Sequence, residues 1–459
     1  MTSVIILASA GIISMFVGIF NAKRLALPLV LLACLAALGI VMFRYNGGYD
    51  GLLNNMLVFD DYSHGFNIVM ILLTMGVLTI SRYYYKDNIE HLSDIYALFI
   101  FSLIGAILSV SFQNLIMLFI GIEILSIPLY ILATSNRRNL FSNEAGLKYF
   151  LMGSFASCFL LLGITFIYGT AYSFDMNAIG RFAADNATAL PPMFVVGCVL
   201  ILGAFIFKIS AVPFHFWAPD VYQGSPTVIT SFMATVVKTA GFGALLRFLN
   251  LTIINNPGVW QEIVQVIAIL TLVVGNILAL YQQNLKRMLA YSGIANAGYV
   301  LVAVASAGEP TTGFVLYYLA SYGVASLLAF AVYTIVKDQT GTDTIEGLKG
   351  LFAQNKLLTI TLALAMLSLS GIPPLAGFFG KYAIFANALS TGMVWPVIIA
   401  VLGSLVGVYY YLRVMAVSFS GGEMNKVHVS PGYAFVLLLT AAILVALGVM
   451  PDLFTELIA

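Results

Sequence analysis

The chain has 459 residues, 61% of them hydrophobic and only 8% charged, with a formal net charge of +1. A soluble domain carries about 25% charged residues, so this composition excludes one and marks a membrane protein. A near-neutral chain also lacks the basic surface that a nucleic-acid partner requires.

Apolar runs long enough to cross a hydrocarbon core about 30 Å thick recur along the whole length. In chain order they predict fourteen spans, near 4–21, 25–43, 64–82, 95–111, 113–133, 146–170 and 192–222, then 226–249, 261–281, 287–306, 311–336, 354–390, 393–419 and 432–450. The first run, SVIILASAGIISMFVGIF, has no basic residue ahead of it, which reads as a retained span rather than a cleaved signal. Cys34, Cys158 and Cys198 fall in apolar segments without CxxC spacing and are expected in the core. The fold class expected is all-α and polytopic, with no soluble domain.

Basic residues set the expected orientation. Lys23, Arg24, Arg82, Lys86, Arg137, Arg138, Lys286, Arg287, Lys337, Lys349 and Lys426 fall in odd-numbered loops, against little beyond Arg44, Arg181 and Arg247 elsewhere. The positive-inside rule then places the odd loops in the cytoplasm and both termini outside. The runs Tyr83–Tyr85 and Tyr409–Tyr411 read as interfacial belts.

Two spans are too long for one straight crossing. Residues 192–222 contain Pro213 and Pro219, and residues 354–390 contain SGIPPLAGFFGKY with Pro373 and Pro374. Each proline removes a backbone hydrogen bond, so helices 7 and 12 are expected to break there. Freed backbone at that depth is tolerated only when it is buried in protein or lines a wet cavity. The broken spans lie five apart and run in opposite directions, the layout of two inverted five-helix repeats. The expected organisation is a single integral membrane domain over 1–459. It has spans 1–3 at 1–94, one repeat at about 95–250, a second at about 258–420 and a final span at about 430–455.

Four ionisable residues fall within spans: Glu123, Lys208, Lys238 and Lys381. Each costs roughly 2.5–3.5 kcal/mol at the bilayer centre, and the four together on the order of 10 kcal/mol, unless they pair, neutralise or meet water. One carboxylate cannot neutralise three lysines, so some of them must be wet or deprotonated part of the time. A lysine whose charge responds to a nearby carboxylate can hold and release a proton. The expected device is a water-linked Glu/Lys relay at mid-depth. His215, in the first break, is a possible further relay or a partner for freed carbonyls, and is read as the one histidine at membrane depth; Asp220 reads as a cap or interface charge. No Walker loop, dinucleotide fingerprint or cluster-binding cysteine spacing occurs, so no cofactor and no metal is expected on this chain.

Four stretches carry a resemblance: LKYFLMGSFAS (147–157), FKISAVPFHFWAPDVYQGSPTVITSFMATVVKTAGF (207–242), NLKRMLAYSGIANAGY (284–299) and SLSGIPPLAGFFGKYAIF (368–385). They resemble the antiporter-like subunits of respiratory complex I, over roughly residues 95–420. The resemblance implies fourteen helices with inverted repeats and a proton-translocating role driven by quinone reduction elsewhere in the complex. It implies that Glu123 is the fifth-helix glutamate and Lys208 its paired seventh-helix lysine. Lys238 would be the connecting eighth-helix lysine, and Lys381 the twelfth-helix residue toward the outer half-channel. It also implies NADH, FMN, iron–sulfur clusters and quinone on partner subunits, with the other membrane subunits and the hydrophilic arm as partners in a bacterial inner membrane. Several members have a histidine where YSGIANAGY has Asn296, which cannot titrate. A cation/proton antiporter subunit and a non-transporting structural membrane subunit are the other readings.

Overall fold

The computed structural model describes residues 1–20, 22–45, 50–85, 91–252, 257–306 and 311–451. Lys86 and the last residues of the expected final span lie outside the described residues. The chain opens with α1 (Thr2–Ile19) and α2 (Ala26–Arg44), then a hairpin of β1 (Asp50–Leu52) and β2 (Leu57–Phe59). There follow α3 (Asp61–Tyr84), α4 (Leu92–Val110), α5 (Leu115–Ala133), α6 (Leu140–Ala171), α7 (Met176–Asp185), α8 (Pro192–Lys208) and α9 (Trp217–Gly224). Next come α10 (Thr227–Phe232), a π turn over Met233–Val237, α11 (Lys238–Thr252), α12 (Pro257–Leu280), α13 (Leu285–Ala305) and α14 (Thr311–Thr340). The chain ends with α15 (Leu351–Gln354), α16 (Lys356–Ser370), α17 (Ala376–Ser390), α18 (Val394–Phe419) and α19 (Pro431–Val449).

Among the described residues, twelve helices are long and apolar enough to cross a membrane, and α8 and α16 are shorter apolar helices. With α8 and α16 each counted with the half-helix that follows it, the fourteen expected spans are all present. The amphipathic α7, which buries Met176, Ile179 and Ala183 at helical spacing, was not expected, and neither was the hairpin.

Both breaks fall inside the expected spans. The first begins directly after Lys208, where Ser210 has φ +62° and the Val212–Pro213 bond is cis. Pro219 does not break anything: it lies in the first turn of α9, where a missing N–H costs no hydrogen bond. The second break runs from Gly371, at φ +83°, through the cis Pro373–Pro374 bond to Leu375.

The chain divides into two compact units. The first comprises residues 1–78, 87–217 and 236–263. Here α1 packs on α2 and α4, α4 on α5, and α6 on α8. The α6–α8 contact depends on two facing glycines: a Cβ at Gly163 would lie 2.7 Å from the Gly197 carbonyl oxygen, and one at Gly197 would lie 3.0 Å from that of Gly163. Small residues let membrane helices approach closely, since lipid offers no hydrophobic push.

Outside the helices, β2 zips onto the α4–α5 turn, with Val58 N–H donating to Ser111 O at 2.8 Å and Gln113 N–H to Met56 O at 2.9 Å. Arg247, expected among the loop charges, is instead buried in α11. Its guanidinium grips both Asp60 carboxylate oxygens at 3.0 Å and the Phe112 carbonyl at 2.8 Å. Burial pushes the Asp60 carboxyl up, but the charge and hydrogen bonds of Arg247, helped by Ser63, hold it below its ordinary value.

The second unit comprises residues 79–86, 218–235 and 264–459. In it α14 packs against α16, α17 and α19, α13 against α17, and α16 against α18. Tyr410 and Tyr411 are buried here, so only Tyr409 of that run fits an interfacial belt. Tyr85 is buried as well, while Cys158, in the first unit, is exposed rather than in the core. Tyr410 and Tyr411 turn inward because each hydroxyl has a polar partner there: Tyr410 donates to Asn276 Oδ1 at 3.1 Å, and Tyr411 meets Ser292 Oγ at 2.7 Å.

Two outcomes check this packing. Gly163→Leu drives α6 from α8 and costs about 1–3 kcal/mol, as overpacked cores do; an unchanged melting temperature of the solubilised protein would refute the close-approach argument. A carboxylate held below its ordinary pKa contributes stability that is complete above the unfolded value and is lost as pH falls through the folded one. Parent and Asp60→Asn protein therefore differ in stability at neutral pH, and the difference shrinks only below the ordinary carboxylate value of 3.8. Melting curves across that range that stay parallel would contradict it.

Candidate functional site: buried lysines at two helix breaks

In the first unit, the site is built on three helices. On α5, Glu123 and Ser126 sit three residues apart and so share one face. Lys208 is the last residue of α8, where the freed carbonyls of a helix end favour a cation. Its ammonium donates to Ser126 Oγ, which in turn donates to the Ile122 carbonyl. From α6, Ser157 donates its hydroxyl to the Glu123 carboxylate.

The expected pairing of Glu123 with Lys208 therefore takes an indirect form. Glu123 acts on Lys208 electrostatically, while the hydrogen bond of the lysine goes to Ser126 one turn further along α5. Ser126 and Ser157 were not singled out from the sequence. The Glu123/Ser126 spacing was a signal for the first; nothing local pointed to Ser157, which comes from a separate helix.

Lys208 is only 5% exposed and Lys238, on α11, 3%. The stem of Lys208 passes Gly241, where an added Cβ would lie 3.7 Å from Lys208 Cγ. Gly241 lies three residues after Lys238 and on the same helix face, so α11 presents Lys238 within a turn of the Lys208 stem. A π turn over Met233–Val237 immediately precedes Lys238; such turns recur at functional sites.

The break itself is closed by protein donors. Ala211 N–H donates to Ile206 O at 2.9 Å, and the Trp217 indole donates to Phe207 O at 3.0 Å. His215 is buried in this segment against the Phe216 ring, and its Nδ1 has no hydrogen-bond partner. His64, in the first turn of α3, is buried as well.

In the second unit, Lys381 is 6% exposed and reaches back across the second break. Its Nζ donates to Leu369 O and Ser370 O, the last carbonyls of α16, both at 3.0 Å, and to Ser404 Oγ at 3.4 Å. The same ammonium lies 4.9 Å from the Tyr299 ring centroid, within cation–π range. Gly371 permits this, since a Cβ there would meet Lys381 Cδ at 3.0 Å as well as strain the backbone.

A cavity of about 10 Å³ adjoins Lys381, lined among others by Asn296, Tyr318, Ser321 and Ser368. It is large enough for about one water molecule. Asn296 is tied into a buried polar network: Tyr318 donates its hydroxyl to Oδ1 at 2.5 Å, and Nδ2 donates to Ser292 O at 2.8 Å and Tyr411 Oη at 3.2 Å. The position without a titratable group is thus still polar and hydrogen-bonded. Asp220 pairs with Arg287 at 2.7 Å, in keeping with an interface charge.

Ser126→Ala leaves the buried Lys208 ammonium without its acceptor. The expected cost is about 1–3 kcal/mol of stability, the penalty of an orphaned buried donor. Thermal unfolding of the assembled protein measures it, and a shift no larger than that of Thr165→Ala, on the exposed side of α6, would show that Ser126 does not hold Lys208.

Comparison with known proteins gives the family. Residues 113–407 match the family described as NADH:quinone oxidoreductase/Mrp antiporter, transmembrane. A protein of Cytophaga hutchinsonii named NADH-quinone oxidoreductase subunit N is 40% identical over 461 residues, covering 99% of each chain. A chain of respiratory complex I from Thermus thermophilus, solved with bound aureothin, superposes with a TM-score of 0.83 at 32% identity, over 100% of this chain and 99% of that one. A chain of the archaeal membrane-bound sulfane sulfur reductase superposes at 0.89 with 26% identity, over 99% and 96%. The chain belongs to the NADH:quinone oxidoreductase/Mrp antiporter membrane family, in its NADH-quinone oxidoreductase subunit N branch.

Proposed function

We propose that this chain moves protons across the membrane of NADH-quinone oxidoreductase through Glu123, Lys208, Lys238 and Lys381, with His215 as an accessory relay. Quinone reduction takes place elsewhere in the complex, and the redox cofactors (FMN, iron–sulfur clusters) and the NADH and quinone sites lie on partner subunits. This chain contributes no redox chemistry. It sits in a bacterial inner membrane, with the odd-numbered loops and their lysines and arginines in the cytoplasm and both termini on the outer side. Residues 95–250 and 258–420 are the two inverted repeats, each with one broken helix.

The observation that carries this reading is the placement of Lys208. A single buried ammonium stands at the end of α8, bonded to Ser126 and within the field of Glu123. In that position a small change in the Glu123 distance alters the free energy of the charged lysine, and each 1.36 kcal/mol of that change is one pKa unit. Lys238 and Lys381 offer the next proton sites, and the cavity beside Lys381 offers room for connecting water.

Lys208→Ala in the assembled complex tests the reading. Loss of a positioned proton donor costs about 100-fold or more in transfer rate, so proton translocation into vesicles during NADH oxidation should fall sharply while the complex still assembles. Translocation equal to that of the parent complex would rule out this relay.

A further inference from the structure

Three buried polar side chains of the first unit have no part in the lysine sites and carry polar atoms without a hydrogen-bond partner. Asn67 on α3 is 0% exposed, yet neither its Oδ1 nor its Nδ2 is bonded; His64, 4% exposed and one turn earlier, has an unbonded Nδ1; Ser111, in the α4–α5 turn, has an unbonded Oγ. Buried amides are almost always satisfied, and a wholly unpaired one carries a large desolvation cost. Water satisfies such atoms in many proteins, typically where several of them lie near one another.

The segments that carry them meet at one place on α11. Phe66, beside Asn67, and Val110, beside Ser111, both close on Gly243 of α11, where an added Cβ would meet the Phe66 ring at 2.9 Å and Val110 Cγ2 at 3.0 Å. One turn toward the end of the membrane, Tyr62 donates its hydroxyl to Gly243 O at 2.5 Å and Arg247 grips Asp60. About one and a half turns the other way along α11 lies Lys238, five residues before Gly243 and so about 7.5 Å along the axis. The unpaired atoms of His64 and Asn67 thus lie along the first two turns of α3, from the surface at Asp60 toward the level of Gly243. The charges within electrostatic reach of His64 are Asp60, Asp61, Arg44 at the end of α2 and the N-terminal amine.

We propose that Asn67, His64 and Ser111 hold a file of water molecules that conducts protons between Lys238 and the membrane surface at Asp60. His64 takes a proton at one ring nitrogen and gives one up at the other, and Asn67 orients water without titrating. The inference rests on the relay proposed above and gives that relay an opening to the aqueous phase within the first unit.

Two measurements on the intact complex decide it. High-resolution electron cryomicroscopy should show ordered water within hydrogen-bond distance of the Asn67 amide and His64 Nδ1; a waterless site there, or protein groups of a neighbouring subunit bonded to both, overturns the proposal. Asn67→Leu and His64→Phe should lower proton translocation to the level of Lys208→Ala, and Asn67→Ser, which keeps a polar group and leaves space for another water, should restore it. Asn67→Leu complex that pumps like the parent while Lys208→Ala does not overturns the water file and leaves the relay standing. Asn67→Ser as impaired as Asn67→Leu shows packing rather than water and overturns it too. Unimpaired Lys208→Ala overturns the relay and this proposal together.

Discussion

A helix broken inside a membrane presents carbonyl oxygens to surroundings that cannot hydrate them, and the protein must supply the donors. Both breaks here are answered in the same manner. At the first, Trp217 and the turn after Lys208 satisfy the last carbonyls of α8, and Lys208 itself stands at that negative helix end. At the second, Lys381 comes from the following half-helix and bonds the last two carbonyls of α16 directly. One lysine lies before its break and the other after it, yet each places its charge at the C-terminal end of a half-helix. The break makes the buried cation affordable, and the cation in turn holds the break together.

The rest of the structure closes around the two lysines, each of which is almost wholly buried. Facing glycines bring α6, with Ser157, close to α8, with Lys208. Around Asn296, the hydroxyls of Tyr318, Tyr411 and Ser292 form a connected set in which every named atom has a partner. A fully satisfied network of this type is rigid, and an unsatisfied atom within it would be costly. Serines and tyrosines therefore do the positioning while lysines and one glutamate carry the charge.

Much of this was legible in the sequence because its causes are one-dimensional. Apolar runs give the fourteen spans, prolines the two breaks, and isolated charges in apolar surroundings the candidate site. The errors share one origin: they concern which neighbour a side chain finds in three dimensions. Arg247 reads as a loop charge until Asp60 and the Phe112 carbonyl close around it. Tyr410 and Tyr411 read as an interfacial belt until Asn276 and Ser292 supply partners. Glu123 and Lys208 stand out as isolated charges, but the serines that bond them, Ser126 for the lysine and Ser157 for the glutamate, do not. Pro219 reads as a breaker, but its place in the first turn of α9 makes it a starter.

The π turn over Met233–Val237 adds a constraint of a different order. Such a turn holds one residue more than an α-turn, so everything after it is rotated by about 100° relative to an uninterrupted helix. The azimuth of Lys238 is set by that extra residue, and Gly241, Gly243 and Arg247 inherit the same rotation. Five residues of unremarkable chemistry thereby fix by their number what the later residues fix by their identity. Side-chain substitutions in this segment leave that number unchanged, whereas a one-residue deletion would turn Lys238, the Lys208 contact and the Asp60 grip away from their partners in a single step.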